Sequence, residues 1–242
     1  MPRPLSMFLR FTLIAASLAA WSRAQPPPAE ESINAKLRFV WASPSAAPDL
    51  VILKPGKPPQ LTPIVPARLG FGPVQDYRGP RTLRLYHPAI GEAAPALAGE
   101  APIPPGGSEW IVLLTPRPDL PGNVTVAFIA ENTKTFPPDS FLIVNLTSAI
   151  IGGRFGGKEF VLQPGLNTPL AVPPRADPPL SLQLAVRYKQ RVVPLIDSPM
   201  ILAPGTRSLF LVGPPPRAGS LNILTFFVKD PSISPPAEKP QQ

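Results

Sequence analysis

The fold is decided by residues 199–230, which read PMILAPGTRSLFLVGPPPRAGSLNILTFFVKD. Apolar runs at residues 209–212 and 222–230 flank a turn rich in proline and glycine. Short apolar runs separated by such a turn predict two strands joined as a hairpin, because proline and glycine supply the backbone angles that a chain reversal needs.

The same order of features occurs once before in the chain. Moving 99 positions toward the N-terminus gives residues 104–131, with a Pro-Gly turn, an apolar run, a proline-rich turn and a second strand-like run. Both copies end in a run that opens on asparagine and closes on an acid, which is Glu131 in the first copy and Asp230 in the second. The sequence therefore predicts two copies of one all-β unit.

Three more runs extend the repeat upstream in the same order. Their offsets are 99, 104 and 109 positions, for residues 83–86 with 182–185, residues 38–43 with 142–147, and residues 51–56 with 160–165. Changes of offset between matched runs are typical of insertions in surface loops. The predicted fold is all-β, with two tandem immunoglobulin-like β-sandwich domains related by internal duplication.

The predicted boundaries follow from composition. They give a Pro-rich leader at residues 25–35, domain 1 at residues 36–131, a short polar linker at 132–139, domain 2 at 140–230 and a disordered tail at 231–242. Residues 88–105 are rich in Gly, Ala and Pro, so we predict a connection there and no strand. No stretch has the helical period that would predict a helix.

Residues 1–24 have the features of a secretory signal peptide. Arg3 and Arg10 precede a short apolar core, and small residues occupy the positions before a cut after Ala24. We therefore expect export to the periplasm or the extracellular space, with no transmembrane segment left after cleavage. The chain has no cysteine, so apolar burial must stabilise the fold without disulfides.

Residues 38–51, RFVWASPSAAPDLV, resemble the opening of a widespread bacterial family of uncharacterised exported β-sandwich domains, whose signature is RVVNASPDAPAVDV. Residues 69–77, LGFGPVQDY, are similar to a second segment of that family, LAFGSVSGYL. The resemblance implies an extracytoplasmic β-sandwich and brings no catalytic residues. It reaches the second half of the chain only through the internal repeat.

The sequence offers few residues for catalysis. Residues 152–158 have the GxxxxGK spacing of a phosphate-binding loop, but Glu159 stands where a hydroxyl should reach magnesium. A glycine-rich hairpin turn explains the segment better, because it lies between two strand-like runs. His87 is the single histidine, at a strand end where a solvated ring is the default. We predict no enzyme, no cofactor and no metal site.

A basic stripe is the one candidate binding site. Residues 181–191 are predicted to form a strand, in which period-two alternation places Leu182, Leu184, Val186 and Tyr188 on one face. The opposite face then carries Arg187, Lys189 and Arg191, which could contact an anionic glycan or lipid headgroup. The alternative is a solvated face that discourages strand pairing.

Arg78, Arg81 and Arg84 could extend this basic surface into the first domain, although their spacing is uneven.

The predicted function is that of an exported, non-enzymatic structural or binding protein of the cell envelope. Its partner would be a cell-envelope component or another protein, and we expect no nucleic acid because the chain has no dense basic run. The alternative is a two-domain periplasmic chaperone or assembly factor that binds partner strands at a sheet edge.

Overall fold

The computed structural model describes residues 31–56, 60–89, 94–172, 179–201, 203–215, 220 and 223–230. The predicted signal peptide, residues 25–30 of the predicted leader and the predicted tail lie outside these residues. The described residues contain strands and no helix, which confirms the all-β prediction. The strands are β1 (Ser32–Trp41), β2 (Val51–Lys54), β3 (Gln60–Pro63), β4 (Ala67–Arg68), β5 (Val74–Pro80), β6 (Thr82–Tyr86), β7 (Leu97–Pro102), β8 (Glu109–Pro116), β9 (Val124–Ala130), β10 (Ser140–Asn145), β11 (Ile151–Phe155), β12 (Lys158–Leu162), β13 (Gly165–Leu166), β14 (Leu170–Ala171), β15 (Leu180–Tyr188), β16 (Arg191–Met200), β17 (Arg207–Gly213) and β18 (Leu224–Lys229).

These strands form four sheets. Sheet 1 has the order β3-β2-β6-β7, and sheet 2 has the order β4-β1-β8-β9, with β5 also paired to β1. Sheet 3 has the order β13-β10-β17-β18, with β14 also paired to β10, and sheet 4 has the order β12-β11-β15-β16. Three pairs are parallel, β1 with β4, β1 with β8, and β10 with β17, and the other described pairs are antiparallel.

Three hydrophobic clusters lie between the sheets. The first cluster joins sheets 1 and 2, the middle cluster joins sheets 2 and 3, and the third cluster joins sheets 3 and 4. Sheets 2 and 3 are therefore covered on both faces. Their central strands contain unbroken apolar runs, at residues 111–114, 141–144 and 209–212, and every residue of these runs is buried. Continuous apolar runs are what strands with two buried faces require.

Alternation along β8 shows how one strand serves two clusters. Val112 and Leu114 belong to the first cluster, and Ile111 and Leu113 belong to the middle cluster. Successive side chains of a strand point to opposite faces, so a run of four apolar residues contributes two to each side.

The segment predicted as a polar linker, residues 132–139, is packed against the sheets. Phe136 is fully buried and belongs to the middle cluster. The backbone N–H of Asp139 donates to the carbonyl of Thr206, and the Asp139 carboxylate accepts from the N–H of Gly205. These contacts hold the segment in place, and the described residues belong to one compact unit.

Two elements differ from their sequence predictions. Strand β1 begins at Ser32, inside the predicted leader, and pairs with β5 from its first residue. Strand β7 lies inside the predicted connection at residues 88–105. Its composition is poor for a strand, but Gly99 suits its position, because a Cβ there would come within 2.5 Å of the carbonyl oxygen of Val124.

Candidate functional site

The hairpin of β15 and β16 extends beyond the rest of sheet 4. Strand β11 pairs with β15 only as far as Ala185. Strands β15 and β16 continue for three further pairs, from Val186 opposite Val193 to Tyr188 opposite Arg191. At about 3.4 Å per residue, these pairs carry the two strands about 10 Å past the end of the β11–β15 ladder. We call residues 186–193 the projecting hairpin; its residues 187–192 are all exposed.

A two-residue turn closes the projecting hairpin. Lys189 and Gln190 have φ angles of 45° and 64°, in the left-handed region that L-amino acids rarely adopt. Two successive positive φ angles match the twist of an antiparallel hairpin, and glycine or asparagine usually occupies such positions. The turn places Lys189 at the end of the hairpin.

This turn corrects the prediction of a basic stripe on one strand. The strand ends at Tyr188, and Arg191 is the first residue of the next strand. Residues directly opposite each other in an antiparallel pair project from the same face. Arg191 therefore shares a face with Tyr188, and Arg187 shares the other face with Val192. The structure brings the three predicted cations together at one end, but not on one face.

Among the described residues, no carboxylate pairs with Arg187, Lys189 or Arg191. The only contact of these cations that the structure gives is that of Lys189 Nζ, 5.4 Å from the ring centroid of Tyr188. Residues 186–193 contain no acid. Their positive charge is therefore available to an anionic partner.

The arginines of the first predicted domain are less available. Arg81 forms a salt bridge with Glu31, with nitrogen–oxygen distances of 3.0 Å, and Arg84 forms one with Glu100 at 3.1 Å. The hydrogen bond to Glu31, helped by the charge of that acid, raises the pKa of Arg81 against the opposing effect of burial. Of the three arginines in the predicted extension, Arg81 and Arg84 are therefore already paired with acids, whereas Arg78 has no salt bridge among the described residues.

A buried ionic cluster is the feature that sequence reasoning missed. Glu131 Oε1 accepts hydrogen bonds from Arg38 Nη1 and Arg207 Nη2, each at 2.7 Å. Asp230 accepts from Arg38 Nη2 at 3.1 Å and from Arg207 Nε at 2.9 Å. The side chains of Arg38, Arg207 and Asp230 are 7%, 6% and 0% exposed. Two arginines and two carboxylates thus form a closed, neutral ring.

Both arginines of this ionic cluster also lie against aromatic rings. The guanidinium carbons of Arg38 and Arg207 lie 4.7 Å and 4.9 Å from the ring centroids of Phe71 and Phe136. Burial disfavours the charged form of Arg38, but the hydrogen bonds that it donates to Asp230 and Glu131, together with the charges of these acids, outweigh burial and raise its pKa. Because its charges satisfy one another, the cluster suits fixing how sheets 2 and 3 pack together better than it suits ligand binding.

The glycine-rich segment forms a hairpin turn, as predicted. Strands β11 and β12 pair from Phe155 opposite Lys158, and Gly156 and Gly157 between them have positive φ angles. Strand β12 follows the turn where a phosphate-binding loop would open a helix. The part of the chain that the structure describes holds no group of three or more His, Asp or Glu residues placed to bind a metal ion. No helix of sufficient length and apolarity to cross a bilayer occurs among the described residues.

No protein-family model matches the chain, and no curated protein matches it significantly. The resemblance of residues 38–51 and 69–77 to the exported β-sandwich family stays a prediction.

Proposed function

We propose that the chain is an exported, non-enzymatic structural or binding protein of the cell envelope, built from two β-sandwich repeats, which contacts an anionic glycan or lipid. The observation that carries the proposal is the projecting hairpin, whose three cations have no acidic partner within the described part of the chain. A mobile polymer or a membrane surface can reach such a hairpin from any side. Export rests on the predicted signal peptide, and the absence of catalysis rests on a chain with one histidine and no cysteine.

The strand arrangement supports two repeats. In sheet 1, β2 pairs with β3 and β6, and β6 pairs with β7; in sheet 4, β11 pairs with β12 and β15, and β15 pairs with β16. Each half also has a central parallel pair, β1 with β8 and β10 with β17, continued by an antiparallel edge strand. These pairings therefore occur twice in the same order, although β4 is parallel to β1 whereas β13 is antiparallel to β10.

Matched residues add support to the duplication. Leu83 and Leu85 are fully buried in β6, and Leu182 and Leu184, 99 positions later, are buried in β15. Glu131 and Asp230 share the same offset, and both belong to the buried ionic cluster. The match of residues 51–56 with 160–165 does not agree with this scheme, because β2 occupies the place of β11 and residues 160–165 begin in β12.

The binding proposal predicts a strong effect of the three cations. Changing Arg187, Lys189 and Arg191 to serine should weaken binding to vesicles with anionic headgroups, or to a sulfated polysaccharide, by about 100-fold, since each cation near such a surface contributes about 1 kcal/mol. Binding by the unchanged protein should also fall as salt rises, because ions screen exposed charges beyond about 10 Å at 0.1 M salt. Co-sedimentation with vesicles and retention on dextran sulfate measure both effects.

A second triple variant separates a site from net charge. Lys134, Lys158 and Lys229 are exposed and lie away from the hairpin, so changing them to serine removes the same charge. This control should bind nearly as well as the unchanged protein. Equal losses for the two triple variants would contradict the proposal, since net charge alone would then explain the binding.

One observation favours the chaperone alternative. Strand β18 is the last strand of sheet 3 and, among the described strands, pairs only with β17. The N–H of Asp230 donates toward β17, so strand alternation turns the N–H groups of Thr225, Phe227 and Lys229 to the free edge. Strand β18 has no proline and one charge, whereas the edge strand β16 carries Pro194 and Pro199. Apart from Lys229, it lacks the features that usually block strand addition.

A proline at the free edge tests this alternative. Changing Thr225 to proline removes an N–H that faces away from β17, so the fold should persist while an added strand loses a hydrogen bond. A labelled peptide with the sequence of residues 207–213 copies β17, and we expect it to bind the proline variant at least about 10-fold more weakly in fluorescence anisotropy, given the steric clash and the lost bond. Thr225→Val keeps the N–H and serves as the control. Equal binding by both variants would exclude strand addition at β18.

A further inference from the structure

We infer that the projecting hairpin enters the headgroup region of an anionic phospholipid bilayer end-on, with Tyr188 and Val192 in the interface and the cations on the phosphates. The inference rests on the proposed function and narrows it, because that function leaves glycan and lipid open. We favour lipid over glycan because exposed apolar side chains lie beside the cations.

Two apolar side chains accompany the cations at the end of the hairpin. Val192 is 70% exposed and Tyr188 is 46% exposed. The register pairs Val192 with Arg187 and Tyr188 with Arg191, so each face of the hairpin carries one apolar and one cationic side chain. Tyrosine suits a membrane interface because its ring is apolar and its hydroxyl is polar. Arginine and lysine can lay their alkyl stems along apolar surface while their charged ends reach phosphate.

The length of the projecting hairpin also fits an anionic bilayer. Its three pairs beyond β11 extend about 10 Å. Segments that lie at the boundary of headgroups and acyl chains bury apolar groups to a depth of about 5–10 Å. The hairpin can therefore deliver Tyr188 and Val192 to this depth while sheet 4 stays in water.

A polysaccharide fits the hairpin less well. Binding sites for small ligands and sugars are usually concave, whereas the end of this hairpin is convex. The outer face of sheet 4 has a depression of about 700 Å³ at the base of the hairpin, lined in part by Gly152, Arg154 and Val192. Its arginine is already paired, since Arg154 Nη2 donates to Glu159 at 2.8 Å. An exposed valine also gains little from a hydroxyl-rich chain, but it gains from leaving water for acyl chains.

The first experiment compares vesicles of pure phosphatidylcholine with vesicles containing about 30% phosphatidylglycerol, whose negative surface potential attracts basic segments. The unchanged protein should float with the anionic vesicles and remain in solution with the neutral ones. Changing Tyr188 and Val192 together to serine should weaken binding by about 10-fold and keep its salt dependence, because the cations remain. The triple serine variant of Arg187, Lys189 and Arg191 should lose about 100-fold. Circular dichroism checks that each variant is folded.

The second measurement detects insertion directly. Trp21 lies in the predicted signal peptide, so the probe is placed in the chain without residues 1–24. The other tryptophans, Trp41 and Trp110, are 2% and 5% exposed, so a tryptophan introduced by Tyr188→Trp should dominate any change in emission. Anionic vesicles should shift its emission to the blue, and lipids with brominated acyl chains should quench it. Leu120 is 45% exposed outside the hairpin, and Leu120→Trp is the matched control that should show neither change.

The outcomes separate the inference from the proposed function. If the Tyr188/Val192 variant binds anionic vesicles as tightly as the unchanged protein, or Tyr188→Trp stays unquenched, insertion is wrong while contact by the three cations can stand. Retention on dextran sulfate with no binding to anionic vesicles would overturn the lipid inference in favour of a glycan. If the triple serine variant binds both probes as tightly as the unchanged protein, the proposed site fails as well.

Discussion

Changing Asp230 to alanine should lower the free energy of unfolding by about 3–5 kcal/mol, the usual cost of removing one partner from a buried ion pair. The Asp230 carboxylate is 0% exposed and accepts hydrogen bonds from Arg38 and Arg207. Without it, two buried guanidinium groups share one carboxylate, that of Glu131. The loss should exceed that of the contacts alone, because the remaining charges are held away from water.

Denaturant unfolding at neutral pH measures this loss. Glu100→Ala is the control, since Glu100 pairs with Arg84 at 3.1 Å on the surface, where an ion pair contributes little. Asp230→Asn keeps the shape of the side chain but removes its charge, so it should also be strongly destabilising. A loss below about 1 kcal/mol for Asp230→Ala would show that water reaches the arginines in the variant, contrary to a sealed cluster.

The two acids of this cluster were visible in the sequence, but their partners were not. Glu131 and Asp230 stand at the same place in two matched runs. Arg38 and Asp230 are 192 residues apart in sequence, and nothing in either local pattern indicates that sheets 2 and 3 bring them together. Long-range pairing of this kind depends on how the sheets pack, which alternation within one strand does not specify.

Apolar runs predicted most central strands, because a strand that is buried on both faces is apolar at nearly every position. They did not fix the register of the repeat. Gly106 and Gly205 both have positive φ angles and are 99 positions apart, but Ile111 and Leu209, which both belong to the middle cluster, are 98 apart. A shift of one residue moves every side chain of a strand to the other face. The sequence match at 99 therefore paired residues of β8 and β17 that face different clusters.

In the projecting hairpin, the sequence indicated the residues of the candidate site but not their backbone conformation. Its residues were predicted as a candidate site, but the turn within them was not. Lys189 and Gln190 have none of the composition that marks a turn, and apolar and polar residues alternate through the segment as they would along one strand. The positive φ angles of this pair could not be read from side-chain types. Only the structure shows that the three cations lie at the end of a hairpin and not along one strand.

The packed segment between the two halves makes the second strong prediction. Changing Phe136 to alanine should lower the free energy of unfolding by about 3–5 kcal/mol, because it leaves a cavity in a fully buried site. Phe136 is 0% exposed in the middle cluster, and its ring lies 4.9 Å from the guanidinium carbon of Arg207. The substitution should therefore weaken the packing of sheet 2 on sheet 3. It should also remove the ring that lies against Arg207 in the ionic cluster. Leu166→Ala, at a side chain 52% exposed, is the control and should cost less than about 1 kcal/mol.

Two probes can show whether the halves unfold together. Apart from Trp21 in the predicted signal peptide, the tryptophans are Trp41 and Trp110, both in the first cluster, so their fluorescence reports on sheets 1 and 2. Circular dichroism reports on strands of all four sheets. Because the middle cluster joins sheets 2 and 3, we expect the two signals to change at the same denaturant concentration, and Phe136→Ala to move both midpoints equally. If Phe136→Ala left the tryptophan transition in place and moved only the circular dichroism signal, each half would fold alone. The segment at residues 132–139 would then join two independent domains, and the middle cluster would contribute little to stability.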